Sequence, residues 1–189
     1  MPNYYDDPRN VEAYVKMAAG YDGRELIEAL RLHLPDGAAV LELGMGPGVD
    51  FELLRQHYTV TGSDRSQAFL DRYSQKDPQA DLIQLDVLPM ITARRFDGIY
   101  SNKVLHHLTQ EELRQSLAAQ RRALNPHGVL LHSFWWGDAE EEMHGLHFTY
   151  YTEESLRAQV PDGFDIVEVA RYGEMDDDDS LYIVLRRTD

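Results

Sequence analysis

Short apolar runs alternate with helix-like patterns over the first two thirds of the chain. Five apolar runs predict β-strands over 38–43, 58–62, 81–85, 97–101 and 128–134. Three stretches between them predict helices over 51–57, 66–75 and 110–124. Thr109 and Glu112 have the spacing of a capping box at the start of the last helix. Strands that alternate with helices are typical of βαβ units, so the pattern predicts an α/β fold around a mainly parallel sheet.

The pattern changes in the last third of the chain. It predicts a helix over 155–160, after Thr152, and two strands over 164–171 and 181–187, while two further helices, over 11–19 and 24–33, precede the first strand. The segment 172–180 is too short for a crossover helix, so the last two strands should form an antiparallel hairpin. We therefore expect a Rossmann-like three-layer sandwich with a seven-stranded, mostly parallel sheet and an antiparallel C-terminal hairpin.

The length and composition suit one domain. A chain of 189 residues, 43% of them hydrophobic, can bury one sizeable core. We expect a single domain over 1–189, with N-terminal cover helices in 1–37, the alternating core in 38–134 and a final segment in 135–189.

The charge narrows the classes of partner. The net charge is −15, from 33 acidic and 18 basic side chains, and such a surface repels phosphate backbones and anionic lipid. We expect neither nucleic acid nor membrane as a partner. The chain has no cysteine, which excludes disulfides and thiolate metal sites, and it has no apolar run of the ~20 residues that span a bilayer. A cytoplasmic monomer or homodimer is expected.

A glycine-rich turn follows the first predicted strand. The stretch VLELGMGPGVD (40–50) places Glu42 at the strand end and then Gly44, Gly46 and Gly48 before a helix. A dinucleotide fingerprint would need a glycine at Val49, and no Lys-Ser/Thr pair follows, so neither that fingerprint nor a P-loop is present. Glycines at such a turn allow the backbone to approach a ligand closely.

Acidic residues also end the next two predicted strands. Asp64, followed by Arg65, ends the second strand, and Asp86, followed by Val87, ends the third. A carboxylate at the Asp64 position can accept both ribose hydroxyls of an adenosine, whether the cofactor is a nicotinamide or a sulfonium. Asp64 could instead cap the following helix, and Asp86 could be a turn residue.

Four motifs together resemble the class I S-adenosylmethionine-dependent methyltransferases, in particular the small single-domain types 11 and 25. They are the turn E-x-G-x-G-x-G from Glu42, the acid Asp86, FDGIYSNKVLHHLT (96–109) and ALNPHG (123–128). In the last, His127 replaces the first glycine of the family's L-x-P-G-G turn, which matters only if the turn requires a positive φ there. The motifs cover 40–134 in the family's order and spacing.

The resemblance implies S-adenosylmethionine as cofactor and assigns roles at these positions. In the family the acid at Glu42 orders the glycine turn and the cofactor amino group, the glycines make room for it, and Asp86 with the Val87 backbone binds the adenine. The strand tip at Ser101 and Asn102 should face the methionine end, and one N-terminal tyrosine should cover the cofactor. The predicted cofactor-binding residues are Glu42, Gly44, Gly46, Gly48, Asp64, Arg65, Asp86, Val87, Ser101, Asn102 and Tyr14.

The acceptor is less well defined by the sequence. The segment FWWGDAEEEMHGLHFTYY (134–151) is rich in aromatic residues, and Trp135, Trp136 and Tyr150 are predicted to contact it, as an apolar wall or a cation cage, unless they only cover the sheet edge. A general base is needed only if the acceptor arrives protonated, and the candidates are His107, His144 and His147. The stretch 101–104 lacks the D/N-P-P-Y/F motif of amino-methylating enzymes for DNA bases and protein glutamine. No metal is predicted.

The sequence therefore predicts an S-adenosylmethionine-dependent methyltransferase that acts on a small molecule by in-line transfer. Two alternatives stay open: a non-catalytic module that binds the cofactor, and a methyltransferase for protein or RNA. A nicotinamide enzyme is disfavoured because the third glycine of its fingerprint is missing.

Overall fold

A seven-stranded sheet forms the centre of the computed structural model, which describes residue 5 and residues 7–143 and 145–189. The strands are β1 (Ala39–Leu43), β2 (Thr59–Asp64), β3 (Leu82–Gln84), β4 (Phe96–Ser101), β5 (Leu124–Trp135), β6 (Glu140–Met143), β7 (Leu146–Thr149), β8 (Phe164–Tyr172) and β9 (Ser180–Arg187). The large sheet has the order β3-β2-β1-β4-β5-β9-β8, and β6 and β7 form a separate hairpin.

The strand directions confirm the predicted sheet. Strands β1 to β5 pair in parallel, whereas β9 runs antiparallel to both β5 and β8. The strand order reverses between β1 and β4, because β2 lies on the other side of β1. Ligands of open α/β sheets bind beyond the carboxyl ends of the strands at such a reversal.

Helices cover both faces of the sheet. They are α1 (Pro8–Met17), α2 (Arg24–Arg31), α3 (Val49–Leu54), α4 (Gln67–Lys76), α5 (Gln110–Ala123) and α6 (Glu153–Arg157), and a 3₁₀ turn lies at Leu105–His107. Thr109 and Glu112 form the predicted capping box at the start of α5, so this prediction is confirmed.

The core consists of two apolar clusters, one on each face of the sheet. Successive strand residues point to opposite faces, so Leu131 joins the cluster beneath α2, α3 and α4 while Leu130 joins the cluster beneath α5 and α6. Both side chains are fully buried. The result is the predicted three-layer sandwich.

The β6–β7 hairpin is the element that the sequence did not predict. Strand β6 contains three consecutive glutamates and is exposed throughout, so it has no apolar alternation that would indicate a strand. Its conformation comes from pairing with β7, and Gly145 at the turn has a φ of 75°. Within the described part of the chain, no helix is both long and apolar enough to cross a membrane.

Candidate active site

The topology brings the three predicted acids to one edge of the sheet. Glu42 in β1 pairs with Gly62 in β2, and Asp64 at the end of β2 pairs with Gln84 in β3, two residues before Asp86. Asp64 and Asp86 line a cavity of about 500 Å³. Glu42 lines an adjoining cavity of about 90 Å³, which shares the walls Tyr14, Gly44 and Gly46. We call this region, with the glycine turn, the carboxylate end.

The glycine turn has left-handed backbone angles, with φ of 65° at Gly44, 49° at Gly46 and 85° at Gly48. Gly46 lies open to the cavity, since a Cβ there would meet only Tyr14, at 3.6 Å. Gly44 also lines the cavity, but a Cβ there would lie 2.6 Å from the Val104 side chain.

Gly48 lies outside the lining of both cavities. A Cβ there would lie 2.4 Å from the ring of Tyr73 in α4. The space that Gly48 leaves is therefore filled by the protein itself, which the spacing of glycines along the chain could not reveal.

Asp64 lines the cavity and accepts two backbone hydrogen bonds, but it does not cap α4, whose N-cap is Ser66. Its Oδ1 accepts a hydrogen bond from the Ser66 backbone N–H at 2.8 Å, and its Oδ2 accepts one from the Gly46 N–H at 2.9 Å. Burial raises the pKa of Asp64, and these backbone N–H groups oppose the rise. A carboxylate has about four acceptor sites, so Asp64 keeps lone pairs for ligand hydroxyls while it fixes the glycine turn.

Glu42 is buried, and none of the described residues forms a salt bridge with it. Its side chain is 3% exposed, and its Oε2 has no hydrogen-bond partner among the described residues. Burial, and then the nearby Asp50 and Asp64, raise the pKa of Glu42 well above its ordinary value. An unpaired buried carboxylate favours a positively charged ligand.

Asp50 belongs to the same region, although no sequence signal marked it. Its oxygens accept hydrogen bonds from the Gly23 N–H at 2.6 Å, the Tyr100 hydroxyl at 2.7 Å and the Asn102 amide at 3.2 Å. Asn102 lines the smaller cavity, and its contact with the methionine end stays a prediction.

Ser101 lines neither cavity. It is fully buried, with its Oγ 2.8 Å from His132 Nδ1. His132 Nε2 lies 2.7 Å from Gln120 Oε1, Gln120 bonds Ser116 Oγ at 3.2 Å, and Ser116 donates to the Val87 carbonyl at 2.7 Å. Ser101 thus connects to the cavity wall at Val87 through buried polar groups and not directly.

The remaining predicted residues at the carboxylate end line the larger cavity. Arg65 Nε lies 3.3 Å from Asp86 Oδ2, and Asp86 Oδ1 accepts a hydrogen bond from the Leu88 N–H at 3.1 Å. Tyr14 lines both cavities, and its ring centroid lies 5.8 Å from that of Phe69. Burial raises the pKa of Tyr14 to about 12, so its hydroxyl stays protonated at neutral pH.

The other part of the larger cavity is built from the 3₁₀ turn, the end of β5 and the hairpin. We call it the histidine end; its walls include Lys103, His106, His107, Trp135, Leu146, His147 and Phe148. The His107 Nδ1 lies 2.8 Å from the carbonyl oxygen of His147. A carbonyl only accepts, so Nδ1 carries the proton and Nε2 keeps a lone pair. Burial lowers the pKa of His107, which favours this neutral form.

His147 lines the cavity with both ring nitrogens engaged. Its Nδ1 lies 2.9 Å from Glu142 Oε1 and its Nε2 2.9 Å from Thr149 Oγ1, whose hydroxyl donates to the Leu108 carbonyl. His147 is therefore less suited than His107 to accept a proton. His144 lies outside the described residues.

His106 was not among the predicted site residues. Its side chain is 3% exposed, and neither ring nitrogen has a partner among the described residues. The ring stacks on Phe148 with 5.2 Å between centroids and 17° between planes, and burial lowers the pKa of His106 well below its ordinary value. The adjacent histidines His106 and His107 are visible in the sequence, but the sequence does not show which of the two rings lacks hydrogen-bond partners.

Lys103 was also not predicted. Its Nζ donates to Glu174 and Ser180 at 2.7 Å and to the Tyr172 hydroxyl at 3.0 Å. It also lies 3.8 Å from the centroid of the Trp135 ring. Its partners come from β8, β9 and their connection, so the contacts could not be predicted from the neighbours of Lys103 in the chain.

The three aromatic residues that were predicted to contact the acceptor do not all line the cavity. Trp135 lines the cavity, whereas Trp136 and Tyr150 do not. Trp136 stacks against the guanidinium of Arg171 at 3.8 Å, and Tyr150 packs beside Gly137. Among the described residues, no group of three or more His, Asp or Glu side chains could hold a metal ion.

Comparison with known proteins finds similarity to methyltransferases over part of the chain. A family model described as "Methyltransferase domain" matches residues 40–128. A trans-aconitate 2-methyltransferase of Variovorax paradoxus is 35% identical over 104 residues, which cover 53% of this chain and 39% of that protein. A dTDP-3-amino-3,4,6-trideoxy-alpha-D-glucopyranose N,N-dimethyltransferase of Streptomyces venezuelae is 25% identical over 118 residues, covering 61% and 50%. The chain thus spans half or less of the length of these relatives.

Solved structures share the fold. A Burkholderia thailandensis 1,6-didemethyltoxoflavin-N1-methyltransferase, solved with 1,6-didemethyltoxoflavin and S-adenosylhomocysteine, matches with a TM-score of 0.75 and 24% identity, covering 98% of this chain and 84% of that one. An S-adenosylmethionine-dependent methyltransferase from Clostridium acetobutylicum matches with a TM-score of 0.75 and 14% identity, covering 99% and 100%.

Proposed function

We propose that the chain, which matches a family model described as "Methyltransferase domain" over residues 40–128, is a class I S-adenosylmethionine-dependent methyltransferase that transfers the methyl group to a small-molecule acceptor. One observation carries the proposal: a single cavity of about 500 Å³ is lined both by the carboxylate end and by the histidine end. Donor and acceptor would therefore share one enclosure, which favours direct in-line transfer.

The residues of the carboxylate end fit the cofactor. The unpaired Oε2 of Glu42 suits the ammonium group of the methionine part, and Gly46 leaves the backbone open to it. Asp64 would accept the ribose hydroxyls, and Asp86 with Val87 would bind the adenine. When bound, the cofactor supplies a methyl group that is bonded to a positively charged sulfur. The sulfur keeps the electron pair of the bond that breaks.

His107 is the proposed general base. Its Nε2 lone pair would accept the proton that the acceptor loses as the new bond to the methyl carbon forms. The named substrates of the comparison proteins, trans-aconitate, an amino-sugar nucleotide and 1,6-didemethyltoxoflavin, are small molecules, which supports an acceptor of that size.

Calorimetric titration with S-adenosylmethionine, S-adenosylhomocysteine and NAD tests the cofactor. We expect both sulfur ligands to bind and NAD not to bind; NAD binding without either sulfur ligand would overturn the proposal. Asp64→Asn should weaken binding, while the exposed Glu154→Gln serves as the matched control.

Radiolabelled methyl transfer into a metabolite extract, with protein and RNA fractions in parallel, tests the acceptor. Label in a small-molecule fraction is the expected result. Label in protein or RNA would instead favour a macromolecular acceptor, and cofactor binding without label in any fraction would favour a non-catalytic module.

A further inference from the structure

The histidine end contains a buried polar group that the protein itself leaves unsatisfied. His106 lines the cavity, and neither Nδ1 nor Nε2 has a hydrogen-bond partner among the described residues. An unpaired buried polar group is destabilising, and such groups in native structures call for an explanation. A ligand in the cavity that hydrogen-bonds the ring would supply one.

The charges of the cavity disfavour an ionic ligand at this end. Lys103 has three N–H donors, and Tyr172, Glu174 and Ser180 take all three. The ion pair with Glu174 also neutralises its charge within the wall. No described residue at the histidine end therefore offers an unpaired cation to a carboxylate.

The other basic residues that line the cavity also have partners. Arg65 lies at the carboxylate end and pairs with Asp86. His147 has Glu142 on one ring nitrogen and Thr149 on the other.

A cationic ligand is no better accommodated. The face of Trp135 already has the Lys103 ammonium 3.8 Å from its centroid, and a second cation there would be repelled. Burial lowers the pKa values of His106 and His107, which favours their neutral forms, so the surface that remains consists of rings. Phe148, whose ring lies 4.7 Å from that of His107, completes this surface with Leu146.

The aromatic walls and the hydrogen-bonding ring of His106 limit the kind of molecule that fits the histidine end. Flat conjugated molecules pack against aromatic faces and edges by stacking and edge contacts. A neutral imidazole offers one donor and one acceptor, so the molecule must carry a group that pairs with one of them.

We propose that the acceptor is an uncharged, planar heteroaromatic molecule with an N–H or O–H group, which hydrogen-bonds to His106 at the histidine end of the cavity. The inference rests on the proposed function, because it assigns the acceptor class of that same site. It excludes polycarboxylates and cationic amines as acceptors.

Ligand-observed NMR on the protein saturated with S-adenosylhomocysteine tests this acceptor class. The probes are fused heteroaromatic fragments in three matched sets: one with a free N–H or O–H, one with that group capped by methyl, and one with an added carboxylate. We expect binding by the first set to exceed that by the other two, and His106→Phe to abolish the preference while His106→Asn keeps part of it. Equal or stronger binding by the capped or carboxylate set, or no binding by the first set, would overturn the proposal.

Two further measurements separate the possible failures. S-adenosylhomocysteine binding is measured first, so that its absence counts against the proposed function and its presence without a fragment preference counts only against the acceptor class. His106→Phe removes the unpaired nitrogens, so its Tm without acceptor should rise above that of the wild type. A fall in Tm together with an unchanged fragment preference would show that His106 only fills the core.

Discussion

The two ends of the cavity are built in different ways. At the carboxylate end, Glu42 and Asp64 lie near the ends of β1 and β2 and Asp86 follows β3, and the turn between β1 and α3 is held by a hydrogen bond from the Gly46 N–H to Asp64. At the histidine end, His107 contacts His147 across 40 residues of chain, and Lys103 contacts Glu174 across 71. The first end depends on local motifs on a rigid sheet edge, and the second depends on long-range packing.

The ends also differ in how their polar groups are satisfied. At the carboxylate end Asp64 accepts two backbone hydrogen bonds without a ligand, although the Oε2 of Glu42 is unpaired, whereas at the histidine end both nitrogens of His106 have no partner among the described residues. A region that binds a constant cofactor can be preorganised by its own backbone. A region that binds a particular acceptor keeps hydrogen-bonding groups free for that molecule, at some cost in stability.

The largest expected effect is on catalysis at the histidine end. His107→Gln should lower the rate of methyl transfer into the labelled acceptor fraction by about 10²–10⁴-fold, because a general base contributes on that order. The affinity for S-adenosylhomocysteine should not change. The exposed His127→Gln is the matched control, and an unchanged rate in His107→Gln would remove His107 as the base.

The next effect concerns the ion pair in the cavity wall. Lys103→Met leaves Glu174 buried and unpaired, which should lower the free energy of unfolding by about 3–5 kcal/mol. The double variant Lys103→Met/Glu174→Gln should recover much of this loss in urea denaturation. Lys76→Met breaks an exposed pair with Glu52 and should cost no more than ~1 kcal/mol. Equal effects of Lys103→Met and Lys76→Met would contradict the buried pairing.

At the carboxylate end, cofactor affinity and stability should change in opposite directions. Glu42→Gln removes a charge-assisted hydrogen bond to the ligand, so binding of S-adenosylmethionine should weaken by about 1.5–3 kcal/mol. The same change removes a buried acid whose ionisation is disfavoured by folding, so it should raise the Tm of the ligand-free protein at neutral pH. Glu154→Gln is again the control, and a variant that loses stability without losing affinity would argue against this role for Glu42.

The sign of the pH dependence follows from the raised pKa of Glu42. The group contributes stability in full below its unfolded pKa of about 4.5, and the contribution is lost as the pH rises toward the higher folded value. Asp50 and Asp64, which face Glu42, have raised pKa values and act in the same direction. The Tm advantage of Glu42→Gln should therefore shrink from about pH 8 to about pH 5 in thermal melts.

The smallest effect lies far from both ends. His127 occupies the position of the first glycine in the family's L-x-P-G-G turn. Its φ is 61°, so the turn does require a positive φ there. His127→Gly should stabilise the protein by about 0.5–1 kcal/mol, because the left-handed conformation is strained for residues other than glycine. Cofactor binding should stay the same, and a change in it would show that the two ends are not independent of this turn.

Local patterns in the sequence determined most of the fold and of the carboxylate end. Apolar alternation, the capping box at Thr109 and the glycine turn each act within a few residues of the chain, and parallel strands then bring Glu42, Asp64 and Asp86 to one edge without further information. This is why these acids could be grouped before any coordinates were known.

Only the tertiary structure decided the histidine end. The glutamate-rich β6 has no pattern of its own, and the exclusion of Trp136 and Ser101 from the cavity depends on packing against Arg171 and His132. The isolation of His106 and the full pairing of Lys103 likewise arise from residues distant in the chain. Side-chain partners across such separations follow from how the layers pack, and no local periodicity carries that information.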